Sequence, residues 1–275
     1  MDTPAAKRYE EGMGGLVTLT SDFGTADGYA GAVKGVILSM TRDVSVVDLS
    51  HDIPPGDVAA AAWCLRVAAP EFPRGTVHWA VVDPGVGTSR RPVVVSRAGH
   101  LFVGPDNGIF ALVPGETAGA WAIDPARVAA GRLSATFHGR DVFAPAAARL
   151  ASGEDPDSLG TAVEPAGLAS IGVDMGWSEE EGVIRGRIVH VDRFGNLVTS
   201  IPASLLGRAR LSGGSAGGRP VLAPAASYEA IPAGGAAFIE GSAGLVEISV
   251  RDASAAVALG LAVGDEVSLV SGGGP

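Results

Sequence analysis

The feature that most constrains this chain is a change of hydrophobic period near residue 175. Before that point, strand-length apolar runs at residues 16–20, 45–49 and 77–82 alternate with helical patterns at 33–38 and 58–68. Such alternation predicts an α/β layered domain. After it, residues 183–191, 236–240, 245–250 and 266–270 alternate at period 2 with glycine turns between them, which predicts a small all-β barrel or sandwich. Residues 176–182 are polar and break both patterns, so they read as a linker between an N-terminal domain at 16–175 and a C-terminal domain at 183–275. The glycine-rich stretch at 212–218 reads as a flexible hairpin loop. A length of 275 residues accommodates two such domains.

Charge and cysteine content narrow the function classes. A formal net charge of −10 disfavours a nucleic-acid partner, because phosphate binding needs clustered Lys and Arg. The single cysteine, Cys64, excludes an internal disulfide, and it sits in an apolar helical pattern that suits a small core residue. No apolar run reaches the ~18–20 residues of a membrane span. Residues 1–15 are polar, lack a signal-peptide apolar region and read as a frayed lead-in, so a cytoplasmic protein without membrane partners is expected. The five histidines show no metal-ligand spacing such as H-x-x-x-H, so no metal site is expected.

Chemistry concentrates just past the apolar runs, where α/β proteins bind ligands. Asp22 and Asp27 share the loop after the first strand, where carboxylates suit a ribose diol, or serve as a turn residue and a helix cap. The loop after the third strand reads Asp83-Pro84-Gly85-Val86-Gly87 and leads to Arg90. Turn formers explain its backbone but not the charged company. His138, between Phe137 and Gly139, has no turn role. Asp83, Arg90 and His138 could form a base, a charge stabiliser and a proton relay. Asp192-Arg193-Phe194-Gly195-Asn196 follows the first strand of the second domain. Asn196 offers a donor and an acceptor in one plane, Phe194 an aromatic face, and Gly-Asn alternatively a plain β-turn. Neither a G-x-G-x-x-G loop nor a G-x-x-x-x-G-K-[ST] loop is present.

Six strings occur in a definite order: Thr20-Ser21-Asp22-Phe23-Gly24, His51-Asp52-Ile53-Pro54-Pro55-Gly56-Asp57, Val82-Asp83-Pro84-Gly85-Val86-Gly87, Gly104-Pro105-Asp106-Asn107-Gly108, Thr136-Phe137-His138-Gly139-Arg140-Asp141 and Asp192-Arg193-Phe194-Gly195-Asn196. Together they resemble the S-adenosyl-L-methionine (SAM) hydroxide adenosyltransferases, or SAM hydrolases, relatives of the SAM-dependent fluorinase and chlorinase. The resemblance spans nearly the whole chain. It implies an N-terminal α/β domain, a C-terminal β-barrel, and a homotrimer with active sites between one subunit's N-domain and a neighbour's C-domain. It implies hydrolysis of SAM to adenosine and L-methionine, with SAM as substrate and no cofactor.

By the same resemblance the catalytic trio falls on Asp83, Arg90 and His138. Asp22 falls on the ribose ligand, and Asp27 near the methionine end or as a support for the loop. Thr136 and Phe137 match the lining of the nucleophile pocket. Asp192, Phe194 and Asn196 match contacts to methionine's polar end and adenine. Ser242 matches a position near the methionine carboxylate, and Tyr228 an aromatic stacked on adenine. The intact trio, and the bare hairpin at 97–100 where fluorinases carry an insertion, favour hydroxide over halide. Gly56 stands where fluorinase-like enzymes have an aromatic, and the 192–196 turn is one residue shorter than theirs. A halogenase of the same fold and a non-catalytic SAM- or adenosine-binding protein are the alternatives. Which of Asp83 and His138 takes the proton from water is open at this level.

Overall fold

A computed structural model describes residues 15–129, 131, 133–207 and 211–271. The lead-in expected over residues 1–15 falls, apart from Gly15, outside them. Gly15 already belongs to the first strand. The chain forms two compact units, divided between Ile171 and Gly172.

The first unit is built on a seven-stranded sheet. Its elements are β1 (Gly15–Ser21), α1 (Tyr29–Met40), β2 (Val44–Ser50), α2 (Val58–Ala68), β3 (Val77–Val81), β4 (Pro92–Arg97), β5 (His100–Pro105), β6 (Thr117–Ile123), α3 (Pro125–Val128), α4 (Ala144–Ala151) and β7 (Gly160–Val163). The order across the sheet is β2-β1-β3-β5-β4-β6-β7. The four strands β2, β1, β3 and β5 are parallel. The remaining three add antiparallel. Val77, Trp79 and Val81 on one face of β3 pack with Val33 and Ile37 of α1 and with α4. Ala80 and Val82 face the other way and pack with Ala61 and Leu65 of α2. Cover on both faces is why these strands read as unbroken apolar runs. Asp57 accepts a hydrogen bond from the Ala60 amide and so caps the start of α2. Asp27 caps nothing: the residue before α1 is Gly28, and no side chain caps the helix.

This topology locates a ligand site in advance. From β1 the chain crosses by α1 to β2 on one side, and from β2 by α2 to β3 on the other. The crevice beyond the carboxyl ends of β1 and β3 is the switch point at which open α/β sheets bind ligands. Asp22 follows β1 and Asp83 follows β3. Because β4 runs antiparallel to β5, with Pro92 opposite Pro105, Arg90 arrives at the same edge.

The second unit is an eight-stranded antiparallel sheet that curls into a nearly closed barrel. Its elements are β8 (Ser178–Glu180), β9 (Val183–Val191), β10 (Leu197–Pro202), β11 (Leu211–Ala216), β12 (Arg219–Val221), β13 (Ala236–Glu240), β14 (Leu245–Val250), α5 (Ala255–Leu259) and β15 (Glu266–Ser271). The order is β12-β11-β15-β9-β10-β14-β13, with β8 beside β9. The ends approach through a bridge between Leu222 and Ala237. Ile184, Ile188, Leu197, Phe238, Val246, Ile248 and Leu269 fill the interior.

Two sequence expectations are corrected here. The supposed flexible loop at 212–218 is the strand β11 with only Gly217 and Gly218 in its turn, because β15 and β12 supply ladder partners on both sides. Tertiary pairing overrides the low strand propensity of glycine. The segment read as a linker contains β8, which pairs with the start of β9.

Candidate active site

A cavity of about 270 Å³ opens at the switch point, lined by Asp22, Phe23, Gly56, Val81, Asp83, Pro84, Val86, Thr136, Phe137, His138 and Gly139. Its charged floor is a three-residue interlock. Arg90 Nε lies 3.0 Å from both Asp83 carboxylate oxygens, and Arg90 Nη2 donates to Asp83 Oδ2 as well. The same Nη2 lies 3.0 Å from His138 Nδ1. The ion pair is withdrawn from water, with side-chain exposures of 10% for Arg90 and 5% for Asp83. The guanidinium also lies over the Phe143 ring, 5.2 Å from its centroid.

The tautomer of His138 follows from this contact. A guanidinium only donates, so Nδ1 must accept and the neutral ring carries its proton on Nε2. Desolvation and the positive charge of Arg90 hold the His138 pKa below its ordinary value, against the pull of Asp83 and Asp141. The trio therefore presents a neutral imidazole N–H donor next to a carboxylate already braced by arginine.

Local sequence explains how the loops meet. Gly87 has φ +78°, and a Cβ there would lie 2.8 Å from the Ala135 carbonyl oxygen, so only glycine lets the Asp83 loop touch the segment bearing Thr136 and Phe137. Asn107 donates to the Val82 carbonyl at 2.8 Å and accepts from the Ile109 amide, bracing the residue next to Asp83. Asp141 accepts from the Ser134 amide and pairs with Arg140, which lies over Phe137. His138 opens a π-helical turn, Gly139–Phe143, which runs into α4. Phe23, Tyr29, Phe137 and Trp79 make edge-to-face contacts around the cavity wall, with centroids 5.5–6.3 Å apart. Sequence reasoning passed over Phe23, Tyr29 and Asn107, although Phe23 and Asn107 lie in the motifs themselves.

The second unit carries its own cavity, about 500 Å³, lined by Phe194, Asn196, Tyr228, Val250, Asp252, Ala253 and Ser254. Phe194 is 78% exposed and Tyr228 50%. Asp192 turns inward: its carboxylate accepts from the Phe194 amide, the Asn196 amide and Asn196 Nδ2 at 2.8–2.9 Å. Gly195, at φ +83°, lies so close to Ser254 that a Cβ would fall 2.0 Å from its Oγ. That approach seats the turn on the start of α5, where the Ala256 amide donates to the Gly195 carbonyl. Tyr228 Oη donates to Glu247 at 3.2 Å. Asp27 and Ser242 are exposed and line neither cavity. Among the described residues no group of three or more His, Cys, Asp or Glu could hold a metal ion. No helix among them is long and apolar enough to cross a membrane.

Comparison with known proteins finds matches to both parts of the chain. The SAM hydroxide adenosyltransferase N-terminal domain matches residues 17–160, and the corresponding C-terminal domain matches residues 186–268. An (R)-S-adenosyl-L-methionine hydrolase of Thermus thermophilus is 40% identical over 92% of this chain and 99% of its own length. One of Salinispora arenicola is 38% identical over 93% and 98%. A fluorinase of Actinopolyspora mzabensis matches at 26% identity over 68% of this chain and 71% of its own length. The crystal structure of an uncharacterized conserved protein from Thermotoga maritima superposes with a TM-score of 0.81 at 30% identity, over 93% of this chain and 99% of that one. The order of the motifs, the interlocked trio and the two matched domains place this chain in the SAM hydroxide adenosyltransferase family.

Proposed function

We propose that the protein hydrolyses S-adenosyl-L-methionine to adenosine and L-methionine by attack of water on ribose C5′. The observation that carries the reading is the Asp83–Arg90–His138 interlock at the switch-point cavity of a chain of this family. Relatives named as hydrolases match at about 40% identity, well above the fluorinase, which disfavours halide as nucleophile.

The leaving group is a neutral thioether, so no acid is needed to expel it. The difficulty is making a nucleophile near pH 7. With Nδ1 occupied by Arg90 and Nε2 protonated, His138 has no lone pair for a proton. We therefore assign the base to Asp83, whose Oδ1 retains a lone pair beyond its contact with Arg90 Nε. His138 Nε2–H and the guanidinium hold the water oxygen as it gains charge. The water proton passes to Asp83, the O–C5′ bond forms, the C5′–S bond breaks with its electron pair going to sulfur, and the proton then leaves to solvent. Holding water and C5′ ~3–3.5 Å apart and in line lowers the barrier further.

Asp22 anchors the ribose in this scheme. Its Oδ2 accepts from the Gly56 amide at 2.9 Å, which leaves Oδ1 for the diol. Thr136 and Phe137 line the nucleophile side. Phe194 and Tyr228 supply stacking faces and Asn196 the purine-edge contacts, with Asp192 holding their turn. Asp27 and Ser242 are proposed for the methionine end. Each cavity alone offers only part of what SAM requires, which fits sites shared between neighbouring subunits; the homotrimer and the cytoplasmic location are proposed on the family resemblance.

The test is incubation with SAM in 18O-labelled water. Adenosine labelled at the 5′-oxygen, with methionine, is the expected product. Unconsumed but tightly bound SAM would overturn hydrolysis in favour of a binding protein. Mixing refolded Arg90→Ala and Phe194→Ala chains should restore part of the activity if sites are shared between subunits.

A further inference from the structure

One polar chain lies behind the cavity, outside the residues given a chemical role. Ser21 Oγ is 2.7 Å from His51 Nδ1, and His51 Nε2 is 3.1 Å from Asp48 Oδ1. Lys34 Nζ donates to Asp48 Oδ2 at 2.6 Å. Serine, histidine and carboxylate in line suggest a nucleophile, but Ser21 is completely buried and its oxygen already accepts from the Phe23 amide at 3.3 Å. No substrate atom can reach it. Burial raises the Asp48 carboxyl, but hydrogen bonds and charge from Lys34 and His51 outweigh this and hold it below its ordinary value.

Beside the Asp48 carboxylate, His51 donates from Nε2. With that tautomer Nδ1 accepts from the Ser21 hydroxyl, and Ser21 accepts from the Phe23 amide. Each link orients the next. The chain ends on the amide immediately after Asp22. Backbone bonds tie the same two loops together: the Gly24 amide to the His51 carbonyl at 2.8 Å, and the Ile53 amide to the Ser21 carbonyl at 3.4 Å. The Gly56 amide then takes Asp22 Oδ2.

We infer that His51 is a positioning residue for the substrate's ribose, acting through Ser21 on the loop that carries Asp22. This rests on the reading of Asp22 as the ribose anchor. Its effect falls on SAM binding rather than on the displacement step, because Ser21 and His51 lie outside the Asp83–Arg90–His138 interlock.

The experiment compares kcat, KM for SAM and thermal midpoint for Asp22→Ala, Ser21→Ala, His51→Asn and His51→Gln. Asparagine places an oxygen near the position of Nδ1 and keeps the acceptor for Ser21. Glutamine keeps the donor to Asp48 and loses that acceptor. Expected are a KM raised by about 30-fold or more in Asp22→Ala, and by about 5-fold in Ser21→Ala and His51→Gln, with kcat within about 2-fold throughout those three. His51→Asn should stay within about 2-fold of the parent in both parameters. Wild-type KM in Ser21→Ala and His51→Gln, with Asp22→Ala still impaired, would overturn the role of His51 while leaving the ribose anchor intact. Unchanged KM in Asp22→Ala would overturn the anchor itself. Equal loss in Asn and Gln variants, in step with a lowered thermal midpoint, would reduce His51 to a structural residue.

Discussion

The two cavities are built on opposite principles. In the first unit the charged groups are spent on one another: Arg90 holds Asp83 and the half-buried His138 at once, and little of the Arg90–Asp83 pair is open to water. In the second unit the polar groups of the turn close on themselves through Asp192, and the aromatic Phe194 is left largely exposed. A group that changes charge during a reaction needs a fixed, poorly solvated surrounding, since reorganisation at that moment adds to the barrier. A group that recognises a flat ring needs only a held backbone and a free face. On the proposed roles, the interlock meets the first demand and the exposed ring of Phe194 the second.

The largest effect expected from this contrast is on turnover. Asp83→Ala or Arg90→Ala should lower kcat by about 10³-fold while SAM affinity, read by calorimetry, changes by less than about 3-fold. A change mainly in affinity would break the contrast. Phe194→Ala should do the reverse, raising KM by roughly 10-fold through lost stacking with kcat nearly kept. Steady-state kinetics on both variants decides the matter.

Acid should separate the units as well. His78, buried in the first sheet against Thr18, His100 and Phe102, has its pKa lowered to about 3 by desolvation and the charge of His100. The unfolded chain binds that proton near pH 6.5, so the first unit loses stability as pH falls from about 6.5 toward 3, by up to ~1.4 kcal/mol per pH unit. Glu247 has the opposite sign. Burial raises its pKa, Tyr228 lowers it and Asp192 raises it, with a net upward shift. Its contribution is most favourable below its ordinary pKa and declines as pH rises through the raised value. Hydrogen exchange on the intact protein between pH 7 and 4 should show the first unit opening before the second. Equal loss of protection in both would contradict the assignment.

The smallest effects concern the glycines that seat each loop. Gly87→Ala should destabilise by about 1–2 kcal/mol, the cost of a left-handed non-glycine residue, and should lower kcat. Gly195→Ala should cost more, since its Cβ would also fall 2.0 Å from Ser254 Oγ, and should raise KM because it displaces Phe194 and Asn196. A thermal melt with kinetics on each variant tests whether the two scaffolds are as separate as the two sites.

Much was legible in residue order alone. Hydrophobic period is set by burial of faces, so the α/β part, the β-barrel part and strands such as β13 and β14 could be read directly. That Asp83, Arg90 and His138 belong together was suggested by order alone, because turn formers do not explain the charged company and His138 has no turn role; the structure brings the three into contact. Contacts between distant residues were not legible in this way. Nothing in the string shows that Asp192 folds its carboxylate back on its own turn, that Ser21 meets His51 across 30 positions, or that residues 212–216 gain strand partners. Asp27 and Ser242 are exposed and line neither cavity, so no contact within the chain shows the role the resemblance implies for them.

Residue order sets the alternation of elements and offers the residues able to carry the chemistry. Those follow from local sterics and from each residue's own preference for water. The folded loops alone set the tautomer of His138, the inward turn of Asp192 and the polar chain behind Asp22. Each of these depends on where a donor from a distant segment points, and that direction exists only once the sheet has brought the loops to one edge.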